Sequence, residues 1–154
     1  MAGRFQLRRG NTAQNDAFIG AEGEVTYDTQ AKGIRVHDGV TPGGNALFGV
    51  VEFQHPTAAN NYTWYRKYSD GWVEQGGKTS TVQAGTGIGI NLPVTMADTN
   101  YSVYTQPVRV NTDDYWYESL ITSITTASLT ITPVRNGSGT DTAYVFWKVC
   151  GMAA

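Results

Sequence analysis

One cysteine, two histidines and only 16% charged residues leave this 154-residue sequence poor in the groups that do chemistry. The single cysteine, Cys150, has no partner for an internal disulfide, and it sits in the apolar run YVFWKVCGM, where a buried thiol is expected. No apolar run approaches the roughly 20 residues that a membrane-spanning helix needs. The opening MAGRFQLRRG passes straight into charged alternation, without the apolar core of a signal peptide. The expectation is a soluble chain with no membrane insertion, in which the Asn-x-Ser/Thr sequons at Asn61, Asn100 and Asn136 carry no meaning. A net charge of −2 and a pI near 5.6 supply no attraction toward phosphate backbones or anionic lipid, so nucleic acid is not an expected partner.

What the sequence does hold is 18 glycines, nine tyrosines, four tryptophans and abundant threonine, a mixture that favours strands and turns over helices. We expect an all-β protein. Phe5 and Leu7 alternate with Arg4, Gln6 and Arg8 until Gly10 breaks the strand, and NTAQNDAF reads as one helical turn capped by Thr12. GEVTYDTQAKGIRVHDG reads as a hairpin: Val25 and Tyr27 share one face, and Ile34 and Val36 share a face opposite to Arg35 and His37. Pro42-Gly43-Gly44 is a turn signal. Composition shifts to small and polar residues near 55–61, which divides the chain into a module at 1–48, a linker at 49–61 and a β-rich unit at 62–154. In that second unit two aromatic runs flank Ser69-Asp70-Gly71 as a hairpin, and further strands are expected at 79–83, 87–96, 101–110, 115–124, 127–133 and 143–149. Such spacing suggests a small β-sandwich or barrel.

The first module is short and has few large apolar side chains. Domains below about 40 to 60 residues usually need metals, disulfides or oligomerisation. With no disulfide and no metal cluster, oligomerisation is the remaining route, the hairpins of neighbouring chains closing one shared core.

Candidate chemistry is sparse. His37 and Asp38 are adjacent in a strand end and point to opposite faces, so they cannot readily share a site. His55 stands in the linker, and a metal held by three copies of His37 about an oligomer axis is the one metal arrangement open to this sequence. The run AGTGIGINLP fits neither phosphate-binding glycine pattern; Gly85, Gly87 and Gly89 fall on one strand face, where close approach of a backbone or ring explains them. Asp113, Asp114 and Glu118 are close in sequence, but a glycosidase pair needs a groove that sets two carboxylates roughly 5 to 10 Å apart, which sequence does not show. In NTDDYWYESL the aromatics Tyr115, Trp116 and Tyr117 are consecutive, so at least one faces away from a core; flanked by Asn111, Asp113 and Asp114, it suits a sugar face or a protein surface. Trp64, Tyr65 and Trp72 invite the same reading, and the alternative for all of them is a core shared between subunits.

The pattern FQLRRGNTAQNDAF…GAEGEVTYDTQAKGIRVHDGVTPGGNAL resembles the N-terminal module of bacteriophage tail-fibre and receptor-binding proteins of the major tropism determinant family. The residues that carry the likeness are Arg9, Gly10, Thr12, Ala13, Gly23, Glu24, Asp28, Val36, His37, Asp38, Gly39, Thr41, Gly43 and Gly44, within the first third of the chain. The resemblance implies a homotrimeric, intertwined β-prism that joins a fibre to the virion or carries its distal domain. Phe5, Leu7, Val25, Tyr27, Ile34 and Val36 would then pack between copies, with Asp38 and Gly39 forming the turn. It further implies a virion protein, assembled in the host cytoplasm, that contacts other tail, baseplate or capsid proteins and binds a glycan or protein of the host surface. Expected contacts are Asn111, Asp113, Asp114, Tyr115, Trp116 and Tyr117, with Trp72 second. No enzyme activity, cofactor or metal is expected. The other readings are a head-fibre, decoration or baseplate protein without receptor binding, and a tip that cleaves polysaccharide; this sequence lacks the long repetitive shaft typical of tail fibres.

Overall fold

The structure, a computed structural model, describes residues 5–47, 49–110, 117–137 and 141–154. It is nearly all strand, in three sheets, with no closed barrel among the described residues. The chain divides into two compact units, one of residues 1–51 with 68–70 and one of residues 52–67 with 71–154.

In the first unit, strands β1 (Arg8–Gly10), β2 (Val25–Asp28), β3 (Gly33–Val36) and β4 (Asn45–Leu47) form one sheet in that order, with β1 parallel to β2 and the other pairs antiparallel. Phe5 and Leu7 precede β1, because the pairing with β2 covers only Arg8 to Gly10. Helix α1 (Thr12–Ala17) is capped by Asn11 rather than Thr12: the Asn11 side chain accepts from the Gln14 amide, and the Gln14 side chain accepts from the Asn11 amide. That is a capping box with amides in place of the usual hydroxyl and carboxylate. Thr12 is instead drawn to the sheet, its hydroxyl donating to Asp28 at 3.1 Å.

Strand β5 (Val50–Gln54) crosses the division between the units, and a 3-10 turn (Ala58–Asn60) follows, within the span expected as a linker. Strands β6 (Trp64–Tyr68), β7 (Trp72–Lys78), β8 (Val82–Gln83), β9 (Ile88–Asn91), β10 (Ser102–Arg109), β11 (Tyr117–Ile124), β12 (Ser128–Arg135) and β13 (Thr142–Met152) complete the chain. The hairpin turn at Ser69-Asp70-Gly71 joins β6 to β7 with Gly71 at a positive φ of 87°. One sheet runs β10-β13-β7-β6-β5, with β8 also on β13, and a second runs β11-β12-β9. Their facing side chains are the core: Val145, Trp147 and Val149 of β13 against Leu129 and Ile131 of β12 and Ile90 of β9, closed by Leu92, Met96 and Tyr101. This is a two-layer sandwich, and strict alternation along β13 decides it, because every odd residue from Ala143 to Gly151 is buried.

Two buried polar side chains of this layer, Gln75 and Thr79, are satisfied by backbone groups. Gln75 exchanges two hydrogen bonds of 2.9 Å with the backbone of Val94, and Thr79 accepts from the Val145 amide at 2.9 Å. The glycine run fills a different role from the expected close approach. Gly85 turns the chain at a φ of 87°, Gly89 faces open space, and only Gly87 meets side chains, those of Thr130 and Thr132. Close approach occurs at Gly76, Gly77 and Gly151 instead. Cys150 is half-buried on the outer face of β13 and not in the core, and burial there pushes its thiol pKa up.

Candidate functional site

In the first unit the sheet has two unlike faces. One is polar and closed. Thr26, Asp28, His37 and Asn15 are its buried members. His37 Nδ1 accepts from the Gly20 amide at 3.2 Å, so Nε2 carries the proton and donates to the Thr26 hydroxyl at 3.1 Å. Both ring nitrogens are thereby engaged within one chain, and none is left for a metal on an oligomer axis. Phe18 meets the ring edge-on at 5.1 Å, with the Arg8 guanidinium over its own face. Asp28 accepts from the Gln30 and Ala31 amides, the Thr12 hydroxyl and the Arg35 guanidinium, which also pairs with Asp16 at 2.7 Å. Burial raises the Asp28 pKa, but these donors outweigh it and hold the carboxyl below its ordinary value.

Asp38 points the other way and is exposed. Its carboxylate accepts from the Thr41 hydroxyl and from the Thr41 and Val40 amides, which hold its pKa down to about 2. Gly39, at a φ of 82°, lets the chain turn beneath it. His37 and Asp38 therefore belong to different surroundings, one inside the polar face and one in a surface turn.

The other face is apolar and open. Register sets Val25 opposite Val36, Tyr27 opposite Ile34, and Ile34 opposite Leu47, so these five share one side of the sheet. Ile34 is 40% exposed and Leu47 57%; Val25, Tyr27 and Val36 are half-buried. Phe5, ahead of β1, is 90% exposed, and Leu7 is half-buried.

In the second unit the outer face of the larger sheet carries the aromatics. Alternate residues of β7 (Trp72, Glu74, Gly76, Lys78) lie opposite Met152, Cys150, Lys148 and Phe146 of β13, and Trp64 of β6 lies opposite Gly76. A Cβ on Gly76 would stand 3.0 Å from two atoms of the Trp64 ring, so the ring packs closely on the glycine backbone. Beside it lies a groove of about 460 Å³ lined by Pro56, Tyr62, Trp64, Gly77, Lys78 and Phe146. The Lys78 ammonium sits 4.0 Å from the Tyr144 ring centre, and Tyr144 and Phe146 meet edge to face. A second groove of about 350 Å³ shares Pro56 and Trp64 and adds Arg66, Glu74 and Lys148. Lys148 pairs with Glu74 at 2.8 Å, which raises the lysine pKa.

Of the contacts expected from sequence, Asn111, Asp113, Asp114, Tyr115 and Trp116 lie outside the described residues. Tyr117 opens β11 and is half-buried; Trp72 is 41% exposed on the aromatic face. Sequence reasoning singled out Trp64 but missed Tyr62, Lys78, Tyr144 and Phe146. The period-two spacing of Tyr144 and Phe146 against Val145 and Trp147 is the available signal, since it places two aromatics on the side of the strand opposite Val145 and Trp147.

Residues 5–41 match the family model described as the major tropism determinant N-terminal domain. The tail fibre receptor-binding protein of Bordetella phage BPP-1 is 30% identical over 117 residues, covering 68% of this chain and 29% of that protein. By its N-terminal unit the chain is similar to the phage tail-fibre proteins of this type. The residues that carry the motif are the polar frame just described: Thr12, Asp28 and His37 inside it, Gly23, Gly39, Gly43 and Gly44 at positive φ, Asp38 and Thr41 in the turn. Among solved structures, the R2 pyocin fibre of P. aeruginosa, residues 323–691, superposes over 67% of this chain and 26% of its own with a TM-score of 0.50 at 15% identity. That likeness is one of fold. The P3c variant of the major tropism determinant is 34% identical over 41% of this chain and 20% of its own, with a TM-score of 0.27. The chain spans about three-tenths of the length of the curated relative that it matches.

Proposed function

We propose that this protein is a subunit of a phage fibre or spike: the N-terminal unit assembles three copies and attaches them to the particle, and the C-terminal sandwich binds the surface of the host cell. The 117-residue match to a protein named a tail fibre receptor-binding protein carries the reading, because 68% of this chain reaches far beyond residues 5–41. The open apolar face around Ile34 and Leu47 supports assembly, since a sheet whose polar side is closed and whose apolar side is bare gains by pairing with sister copies. Arranged as a prism about a three-fold axis, Val25, Tyr27, Ile34 and Val36 would form the shared interior. Three tip sites on one assembly would bind a repetitive surface by avidity. The Asn111 to Tyr117 segment and Trp72 supply host contacts in this reading, and no catalytic step is assigned.

The test is adsorption. Purified protein added to host cells should block attachment of the phage that carries it, and Trp116→Ala should remove that block while the assembly keeps its mass. Protein that neither binds the cells nor competes contradicts the reading, and reducing-end release from host glycan would replace it with an enzyme.

A further inference from the structure

The groove beside Trp64 and the one adjoining it each hold a cation without an ion pair among the described residues, Lys78 and Arg66. The Lys78 ammonium lies over the rings of Tyr144 and Tyr62, and Arg66 lies in the adjoining groove; among the described residues no carboxylate pairs with either within 4.0 Å. They stand on a chain whose net charge is −2, so this face is locally opposite in sign to the molecule. Around Lys78 the walls are flat and apolar: Trp64, Phe146 and Tyr62. Trp64 packs against Gly76 and lines the groove.

We propose that this groove is a subsite for an acidic pyranoside, whose C–H face stacks on Trp64 and whose carboxylate or phosphate meets Lys78. It rests on the host-binding reading and names the class of sugar that the tip holds. The volume of about 460 Å³ falls in the range of small-ligand clefts. Aromatic faces accept the apolar side of a sugar ring, and a cation held among them strengthens its bond to an anion as water leaves. Two other occupants fit less well. An extended peptide binds by adding to free backbone, and here Gly77 and Lys78 are already paired to Trp147 and Phe146 of β13. A second copy docked through the same face would set one patch with an excess of positive charge, Arg66, Lys78 and Lys148 against Glu74, on another, which like charge opposes.

The experiment uses the full chain and follows the Trp64 indole N–H by NMR during titration with sialyllactose or a galacturonate trimer, with lactose as the neutral control. Both acidic probes should give a saturable shift at millimolar affinity or better, and lactose should bind at least about tenfold more weakly, the difference that one lost charge-assisted contact makes. Lys78→Met keeps the stem on Tyr144 and should erase that difference, with the thermal melt unchanged. No saturable shift from either acid up to about 10 mM, or a shift that Lys78→Met leaves intact, overturns the assignment. So does a Trp64 indole shielded from acrylamide in the free protein, which would mean that a sister copy covers the face. Competition for adsorption that persists in Lys78→Met would leave the fibre reading standing and remove this subsite. Acid binding by a protein that fails to compete would do the reverse.

Discussion

Gly20 and His37 are so close that a methyl group separates a folded N-terminal unit from a strained one. A Cβ at Gly20 would stand 2.6 Å from the His37 ring, which is itself fixed by Thr26. Gly20→Ala should therefore destabilise this unit by about 1–3 kcal/mol, the range for overpacking a fixed interior, as a lower first transition in a thermal melt. An unchanged melt would mean that the ring is free to move. Asp28 gives the polar face its pH dependence. Its folded pKa lies below the ordinary aspartate value, so its contribution is complete above that ordinary value and is lost as pH falls through the lower, folded one. Acid titration from pH 5 to pH 2 should unfold the unit through this carboxyl, and Asp28→Asn should flatten that dependence while lowering stability at neutral pH. The roles of these residues were only partly legible. The turn role of Asp38 follows from its type and from the glycine after it, whereas burial of Thr26 and Asp28 did not, because alternation alone cannot say which side of a two-faced strand is closed.

At the scale of elements, strands announced themselves well where glycine, asparagine or aspartate bounded alternating runs, as at β7, β10 and β12. They were misjudged where pairing rather than composition decides their ends. Residues 87–96 read as one long strand, yet regular pairing stops at Asn91 because β12 partners only Ile88 to Asn91. Phe5 and Leu7 alternate like a strand with no partner of their own beyond β1. The aromatic groove escaped the sequence because its walls come from β6, β7, β13 and the segment at Pro56, joined only by register. The N-terminal sheet offers the sharper test. In an isolated chain Ile34, already 40% exposed, should tolerate a charge within about 0.5 kcal/mol. In an assembly that buries the face, Ile34→Lys would set an unpaired ammonium in the shared interior. We expect Ile34→Lys to dissociate the assembly while the melt of the C-terminal sandwich stays as it was. A variant that keeps its full mass would place the interface elsewhere.

For the whole molecule, the account depends on copies completing one another. The C-terminal sandwich encloses its own core; in the N-terminal unit the fully buried side chains among the described residues are polar, and Ile34, Leu47 and Phe5 are exposed. Avidity at a host surface and attachment to a particle both presuppose that several tips share one base. The direct measurement is the mass in solution, by sedimentation equilibrium on the full chain at micromolar concentration. The account predicts a species of three times the 16.7 kDa chain that persists on dilution. A stable 16.7 kDa monomer, folded in both units at that concentration, would contradict it.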